Sequence, residues 1–165
     1  MSDQNTAVLK TILVALVLSA VFLVTVPWLI VRSTEAVLAA NLLPVRIAGA
    51  SLTAFGVYLY IWSVRRLLLR RTSAIPGVAP AQLETSGWYG RVRHPLLLGV
   101  VAVLLGEAAL FASLPLLAYA LAYWLWLHLF VTRKEEPDLI AAFGDDYRRY
   151  VQEVPRWIPN RRRRA

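Results

Sequence analysis

Two arginines and a histidine stand directly before a segment long and apolar enough to form a membrane helix. Arg91, Arg93 and His94 precede Pro95, and residues 96–114 are predominantly apolar. Proline is favoured at the first position of a helix, because its missing N–H would have no partner there. We therefore expect a helix to begin at Pro95 with free N–H groups at its N-terminus. Such an end, flanked by cationic side chains, suits an anion, although it is also typical of an ordinary cytoplasmic membrane anchor.

A pair of adjacent glutamates, Glu135 and Glu136, follows a second apolar segment, 116–131. Only a tight turn around Pro115 separates this segment from the previous one, so the two must be antiparallel neighbours. The glutamates should therefore lie beside the polar cluster that precedes Pro95. One interpretation is that the carboxylates merely pair with neighbouring arginines. The other is that this rim binds a ligand that carries both a cation and an anion.

The composition is that of an integral membrane protein. Of the 165 residues, 58% are hydrophobic and 17% are charged, which is too apolar for an ordinary soluble domain. We predict an all-α helical bundle that forms one domain over residues 1–165, with four membrane-spanning helices and an amphipathic helical cap. The predicted spans are 11–31, 47–64, 96–114 and 116–131, and the cap is 135–159.

The distribution of basic residues predicts the topology. Most of them fall on one side of the predicted spans, which the positive-inside rule places in the cytoplasm: Lys10, Arg65, Arg66, Arg70, Arg71, Arg91, Arg93, Arg133 and Lys134. Both termini, the loop 65–94 and the polar rim are then cytoplasmic. The net charge of +8 indicates anionic lipid headgroups and not nucleic acid, because the basic residues lie at the ends of apolar segments and in the arginine-rich tail. Without cysteine, the chain has no disulfide and no thiolate nucleophile, and we predict no metal site.

Small residues, helical periodicity and position in the chain add four further expectations. The second span carries small positions at which another helix could approach closely: Gly49, Ser51, Thr53 and Gly56. A stripe through Trp124, His128 and Val131 reaches Glu135, so we expect Glu135 to face inward and Glu136 to face away, since neighbours on a helix point about 100° apart. We also expect Trp157 to anchor the C-terminus to headgroups and Glu107 to extend to the outer interface.

The order of these motifs resembles the isoprenylcysteine carboxyl methyltransferase family, in the form of its small bacterial members, and more weakly the phosphatidylethanolamine N-methyltransferases. The resemblance covers residues 83–159. Its motifs are, in order, Gly87-Trp88-Tyr89, Arg93-His94-Pro95, Glu135-Glu136, Phe143-Gly144, Tyr147, Tyr150, Val154-Pro155 and Pro159.

The resemblance implies a membrane enzyme that uses S-adenosylmethionine to methylate a lipophilic acceptor delivered from the bilayer, such as the carboxylate of an isoprenoid-like or prenylcysteine-like acid. Residues expected at the cofactor site are Tyr89, Arg93, His94, Glu135 and Glu136. A carboxylate acceptor needs no base, only a cation to orient it, and Arg93 and Arg133 are the candidates for that catalytic role. Trp124 and His128 are expected to line the substrate cavity.

Two residues depart from the family pattern and keep other functions open. Leu97 replaces a tyrosine that usually follows the Arg-His-Pro motif, and Pro137 is a helix breaker directly after the glutamates. The alternatives are an N-methyltransferase of phospholipids or amines, a membrane reductase that uses NADPH, and a non-catalytic protein of the same fold. The sequence leaves the oligomeric state open.

Overall fold

The computed structural model describes residues 21–33, 42–69 and 83–159, and all regular structure within these ranges is helical, as predicted. The helices are α1 (Val26–Ser33), α2 (Leu43–Leu69), α3 (Pro95–Leu110), α4 (Leu114–Phe130), α5 (Glu136–Phe143) and α6 (Asp145–Glu153). A π-helical turn, Val21–Thr25, leads into α1, and a second one, Val131–Glu135, joins α4 to α5. A short 3₁₀ turn, Gly87–Gly90, precedes α3.

Two of the described helices are long and apolar enough to cross a membrane, Leu43–Leu67 and Leu114–Phe143. Val21–Ser33 and Pro95–Leu110 are shorter apolar helices. The first predicted span, 11–31, therefore lies only partly within the described residues, and the third ends earlier than expected. Four spans remain a prediction.

Glycines bring α2 and α3 into direct backbone contact. A methyl group at Gly56 on α2 would lie 2.7 Å from the carbonyl oxygen of Gly99 on α3, and one at Gly106 would lie 2.8 Å from the carbonyl oxygen of Gly49. No side chain larger than hydrogen fits at these positions without displacing backbone. The expected close approach of the second span to another helix is confirmed, and α3 is the partner.

The turn between α3 and α4 is tight, as expected. The hydroxyl of Ser113 accepts a hydrogen bond from the Leu116 N–H at 3.3 Å and so caps the start of α4. The two helices then bury a shared apolar core that includes Leu97, Leu104 and Leu127. Leu97, which stands where the family usually has tyrosine, is thus a core residue and makes no polar contact.

Helix α4 continues without a break into α5, although Pro137 stands near their junction. In the π-helical turn the Glu136 N–H bonds to the carbonyl of Val131, five residues back, so the turn is wider than an α-helical one. Proline removes a backbone donor and crowds the carbonyl four residues before it, and a wider turn relieves that crowding. The expected interruption at Pro137 is therefore a change of helix type.

The chain after α5 folds back over the start of α3. Gly144 has φ +56° and separates α5 from α6. Tyr147, Tyr150 and Val154 are buried together against Leu83 and residues of α5. Pro155, Arg156 and Trp157 follow, and we call these three residues the C-terminal strap.

Glu107 does not lie as expected, with its side chain extended to the outer interface. Its Oε2 atom is buried and makes no hydrogen bond within the described part of the chain, so the carboxylate does not extend fully to the outer interface.

Candidate functional site

Five charged or titratable side chains meet where α3 begins and α4 ends. Arg93 and His94 lie directly before the first residue of α3, Glu135 ends the π-helical turn, and Glu136 begins α5. Arg156 joins them from the C-terminal strap. The short hairpin thus brings the two sequence motifs to one rim, as predicted. We call these five residues the ionic cluster.

Glu136 is held by two guanidinium groups. Arg93 Nη1 donates to Glu136 Oε1 at 2.6 Å, while Arg156 donates through Nε to Oε1 at 2.9 Å and through Nη2 to Oε2 at 2.6 Å. The side chains of Glu136 and Arg93 are only 11% and 10% exposed. A two-point contact of this kind fixes both the position and the plane of a carboxylate.

His94 lies between the two carboxylates and is buried. Its Nδ1 is 3.4 Å from Glu135 Oε1, and its Nε2 is 3.5 Å from Glu136 Oε1. A neutral imidazole has only one N–H, so both contacts are favourable only for the imidazolium. Burial alone would lower the pKa of His94, but the contacts and charges of Glu135 and Glu136 outweigh burial and raise that pKa above 6.5.

Glu135 has one carboxylate oxygen left over. Its Oε1 faces His94, whereas its Oε2 is buried and accepts no hydrogen bond from the described residues. Buried polar atoms are nearly always paired in folded proteins, so an exception marks a place for an additional donor. The N-terminus of α3 is similarly open, since the His94 side chain does not cap it.

The expectation that only Glu135 faces inward is wrong. Both glutamates contact His94, and Glu136 is the more enclosed of the two. The stripe through Trp124, His128 and Val131 was extended with α-helical spacing, but the π-helical turn changes the rotation between Val131 and Glu136. That change rotates the Glu136 side chain toward the other residues of the ionic cluster.

Tyr89 is buried beside the cluster and links it to the C-terminal helices. Its carbonyl accepts a hydrogen bond of 2.6 Å from the Tyr150 hydroxyl, and its ring lies 6.3 Å from that of Trp62. Burial raises the pKa values of Tyr89 and Tyr150, and it raises that of Tyr147 to about 12, so all three phenols stay protonated near neutral pH. A role for Tyr89 in holding a cofactor remains a prediction.

The predicted substrate residues Trp124 and His128 stack on each other with ring centroids 5.6 Å apart. Trp124 is partly exposed on the surface of the bundle. Arg133 is exposed on the π-helical turn, and the ion pairs of the ionic cluster do not include it. The structure therefore brings Arg93, His94, Glu135 and Glu136 together, whereas Arg133 makes no ion pair with this group.

Sequence reasoning missed two residues of the site, Arg156 and Trp157. The indole N–H of Trp157 donates to His128 Nδ1 at 3.1 Å, and its ring packs against the core shared by α3 and α4. The expected headgroup anchor at Trp157 is thus corrected, because its polar atom points to a histidine inside the bundle. The one local signal was the placement of both residues between Pro155 and Pro159, which restrict the backbone.

Comparison with known proteins supplies the family. The phospholipid methyltransferase family matches residues 45–146, more than half of the chain. The chain belongs to this family. Its matched region runs from the third residue of α2 to the second residue of α6 and contains four of the five residues of the ionic cluster, whereas the C-terminal strap lies beyond it.

Curated relatives include two methyltransferases with different acceptors. Methanethiol S-methyltransferase 1 of Bradyrhizobium diazoefficiens is 35% identical over 83 residues, which are 50% of this chain and 28% of that protein. Protein-S-isoprenylcysteine O-methyltransferase of Schizosaccharomyces pombe is 36% identical over 78 residues, which are 47% of this chain and 33% of that protein. The resemblance to the isoprenylcysteine carboxyl methyltransferases is thereby confirmed, although the matches span only about a third of these relatives. No solved structure matches the chain.

Proposed function

We propose that this chain is a membrane methyltransferase that uses S-adenosylmethionine and acts on a lipophilic acceptor, with a prenylcysteine-like or isoprenoid-like acid as the first candidate. The observation that carries the proposal is the buried oxygen of Glu135, which accepts no hydrogen bond from the described residues, within a cluster that carries a net positive charge. It is supported by the family and by the methyltransferase names of both relatives.

The chemical groups of the ionic cluster fit the methyl donor. When bound, S-adenosylmethionine supplies a methyl group on a positively charged sulfur, and its amino acid end carries an ammonium and a carboxylate. Glu135 Oε2 is a buried acceptor that receives no hydrogen bond within the described ranges, and it would hold the ammonium. The uncapped N-terminus of α3 would hold the carboxylate, with the positive charge of the His94 imidazolium directly before it.

The charge balance supports the same assignment. Arg93, Arg156 and protonated His94 contribute three positive charges, and Glu135 with Glu136 contributes two negative ones, so one positive charge is left over. A ligand that brought only a cation would increase this excess. An ammonium and a carboxylate on one ligand leave the charge unchanged while each meets an opposite partner.

The acceptor site would lie on the lipid side of the cluster. The stacked pair Trp124 and His128 reaches from the bundle surface toward the cluster through Trp157, which suits an apolar acceptor arriving from the bilayer. Arg133 is exposed close by and has no ion pair among the described residues, so it could orient an acceptor carboxylate. Methyl transfer to a carboxylate needs alignment and no proton removal, whereas a thiol or an ammonium must first lose a proton.

A binding titration on the purified protein tests this proposal. S-adenosylhomocysteine, the demethylated product of the donor, and NADPH would each be titrated by calorimetry into protein held in lipid nanodiscs. We expect S-adenosylhomocysteine to bind and NADPH not to bind. Binding of NADPH alone would indicate a reductase, and binding of neither would indicate a non-catalytic protein.

A panel of acceptors then separates the methyltransferase classes. Protein in nanodiscs with radiolabelled methyl donor would receive a prenylcysteine acid, a short alkyl thiol or phosphatidylethanolamine. We expect label in the acid. Label in the thiol or the phospholipid alone would replace the proposed acceptor by the chemistry named for the bacterial relative or for the family.

A further inference from the structure

The C-terminal strap touches three separate parts of the site. The carbonyl of Pro155 accepts a hydrogen bond of 2.9 Å from the backbone N–H of Arg93. The next residue, Arg156, binds Glu136, and Trp157 binds His128 on α4. Three consecutive residues therefore hold the segment before α3, the start of α5 and the end of α4.

Arg156 determines how Glu136 is oriented. Arg93 contacts only one oxygen of that carboxylate, whereas Arg156 contacts both, so Arg156 sets the plane of the carboxylate. Glu136 Oε1 in turn lies 3.5 Å from His94 Nε2. Any movement of Glu136 is thus passed to His94, and from there to Glu135, which is 3.4 Å from the other ring nitrogen.

Trp157 orients His128, as Arg156 orients Glu136. Its ring centroid lies 6.1 Å from that of His94 and 6.3 Å from that of His128, so the indole lies between them. An indole N–H can only donate, and His128 Nδ1 must therefore accept. The contact fixes His128 with its proton on Nε2.

We propose that the C-terminal strap is a positioning element of the proposed site, in which Arg156 acts through Glu136 on the methyl donor side and Trp157 acts through His128 on the acceptor side. Neither residue needs to touch the donor. The inference rests on the proposed function, and it assigns a role to residues that lie beyond the match to the family at residue 146.

The first test compares three arginine variants. Arg156→Gln removes the charge, Arg156→Lys keeps a charge without the two-point geometry, and Arg148→Gln is the control, because Arg148 makes an exposed pair with Asp145 in the same C-terminal region. We expect the dissociation constant for S-adenosylhomocysteine to rise at least about tenfold in Arg156→Gln, less in Arg156→Lys, and less than about twofold in the control.

The second test measures the titration of His94 in the ionic cluster in the absence of ligand. The chain has only two histidines, so histidine labelled with both ¹³C and ¹⁵N gives two sets of ring signals that can be titrated by NMR. Without the Arg156 charge, the negative charge of Glu136 is less compensated, which favours the imidazolium form of His94. The His94 titration should therefore move to higher pH in Arg156→Gln and stay unchanged in Arg148→Gln. In Trp157→Phe, which removes only the indole donor, the ¹⁵N shifts of His128 should show loss of the fixed tautomer.

Each outcome decides between the two proposals. If the unaltered protein binds no S-adenosylhomocysteine, the proposed function and the role of the strap in it both fail. If it binds normally and Arg156→Gln binds within about twofold of it, only the strap fails. An unmoved His94 titration in Arg156→Gln also overturns the strap, even where affinity falls, since a purely structural loss would not act through Glu136. If Arg156→Gln does not fold, Arg156→Lys decides by affinity alone, because it keeps the charge that the His94 titration senses, and a dissociation constant within about twofold of that of the unaltered protein then overturns the strap.

Discussion

At the residue level, the two adjacent glutamates have different electrostatic surroundings. Glu136 is enclosed by Arg93 and Arg156, so its charge is already compensated within the protein. Glu135 contacts only His94 and keeps one buried oxygen without a hydrogen bond among the described residues. We infer that Glu136 mainly stabilises the fold and that Glu135 is the carboxylate available to a ligand.

This difference predicts that removing the charge of Glu136 mainly lowers stability, whereas removing the charge of Glu135 mainly weakens ligand binding. Glu136→Gln leaves the largely buried guanidinium of Arg93 and the partly exposed one of Arg156 without their counterion, and it should lower the free energy of unfolding by roughly 3 kcal/mol. Glu135→Gln should cost less than about 1 kcal/mol of stability but weaken S-adenosylhomocysteine binding more than tenfold. Thermal unfolding and calorimetry on both variants measure the two quantities. Equal losses of stability would show that the glutamates share one structural role.

His94 should make stability depend on pH. Its pKa in the folded protein is raised above 6.5, so its stabilising contribution is complete below about pH 6.5 and is lost as pH rises through the folded value. The thermal midpoint should therefore fall as pH increases above 6.5. His94→Gln should remove that fall, and His128→Gln should retain it. A pH profile that is the same in His94→Gln and the unaltered protein would contradict the imidazolium assignment.

How well each site residue could be predicted from the sequence depended on how local its signal was. Arg93, His94 and the glutamates stand next to helix boundaries that the sequence marks with Pro95 and with the end of an apolar segment, so their meeting could be predicted. Arg156 reaches Glu136 across 20 residues and two helix breaks. That contact depends on how α6 folds back after Gly144, which spacing in the sequence does not specify.

At the element level, the contact between α2 and α3 depends on glycines, whose lack of a side chain lets the two backbones approach. Gly49 and Gly56 on α2 lie against Gly106 and Gly99 on α3, and the two backbones approach each other directly. The buried start of α3 therefore has its position set by α2 on one side and by α4 on the other.

A methyl group added to this contact should be costly. Gly56→Ala places a carbon 2.7 Å from the Gly99 carbonyl oxygen and from the Val103 backbone nitrogen, neither of which can move without shifting a helix. Alanine normally stabilises a helix relative to glycine, yet here we expect a loss of about 2 kcal/mol or more. Ser51→Ala on the exposed face of α2 is the control and should change stability by less than about 0.5 kcal/mol. Detergent-induced unfolding measures both, and a stabilised Gly56→Ala would show that the helices are further apart.

Helix boundaries were predicted less well than helix existence. The beginning of α3 was found because proline gives a specific start signal. The helix that carries the predicted second span, 47–64, continues beyond it to Leu69, since Arg65 and Arg66 end the apolar segment without ending the helix. The π-helical turn had no recognisable signal except Pro137, whose breaking tendency also fits a simple kink.

For the whole molecule, all members of the ionic cluster lie at one end of the helical bundle. The end of α2 reaches the same region, since Arg66 pairs with Glu84 at 3.4 Å and also contacts Ser86, shortly before the 3₁₀ turn. The turn between α3 and α4 lies at the opposite end. If the bundle spans the membrane as we propose, the site and this turn face different compartments.

The absence of cysteine makes this topology easy to test. Single cysteines at Thr85 and Phe111, both exposed in the structure, would be treated with a membrane-impermeant maleimide on intact cells. We expect labelling at Phe111→Cys and protection at Thr85→Cys until the membrane is opened, because the basic residues should hold the Thr85 side in the cytoplasm. The reverse pattern would invert the topology, and the predictions for Lys10, Arg70 and Arg71, which lie outside the described residues, would be wrong with it.

The π-helical turn also bears on how relatives of this chain should be aligned. A turn with hydrogen bonds to the fifth preceding residue accommodates one residue more than regular helix of the same length, as a single-codon insertion would produce. Removing such a residue would keep the helix continuous but rotate everything after it by about 100°. A one-residue gap between Val131 and Glu136 in an alignment would therefore exchange the enclosed carboxylate for its neighbour. Homologues with the same Glu-Glu letters can thus differ in which glutamate is buried, and alignment columns here should be assigned by helix geometry.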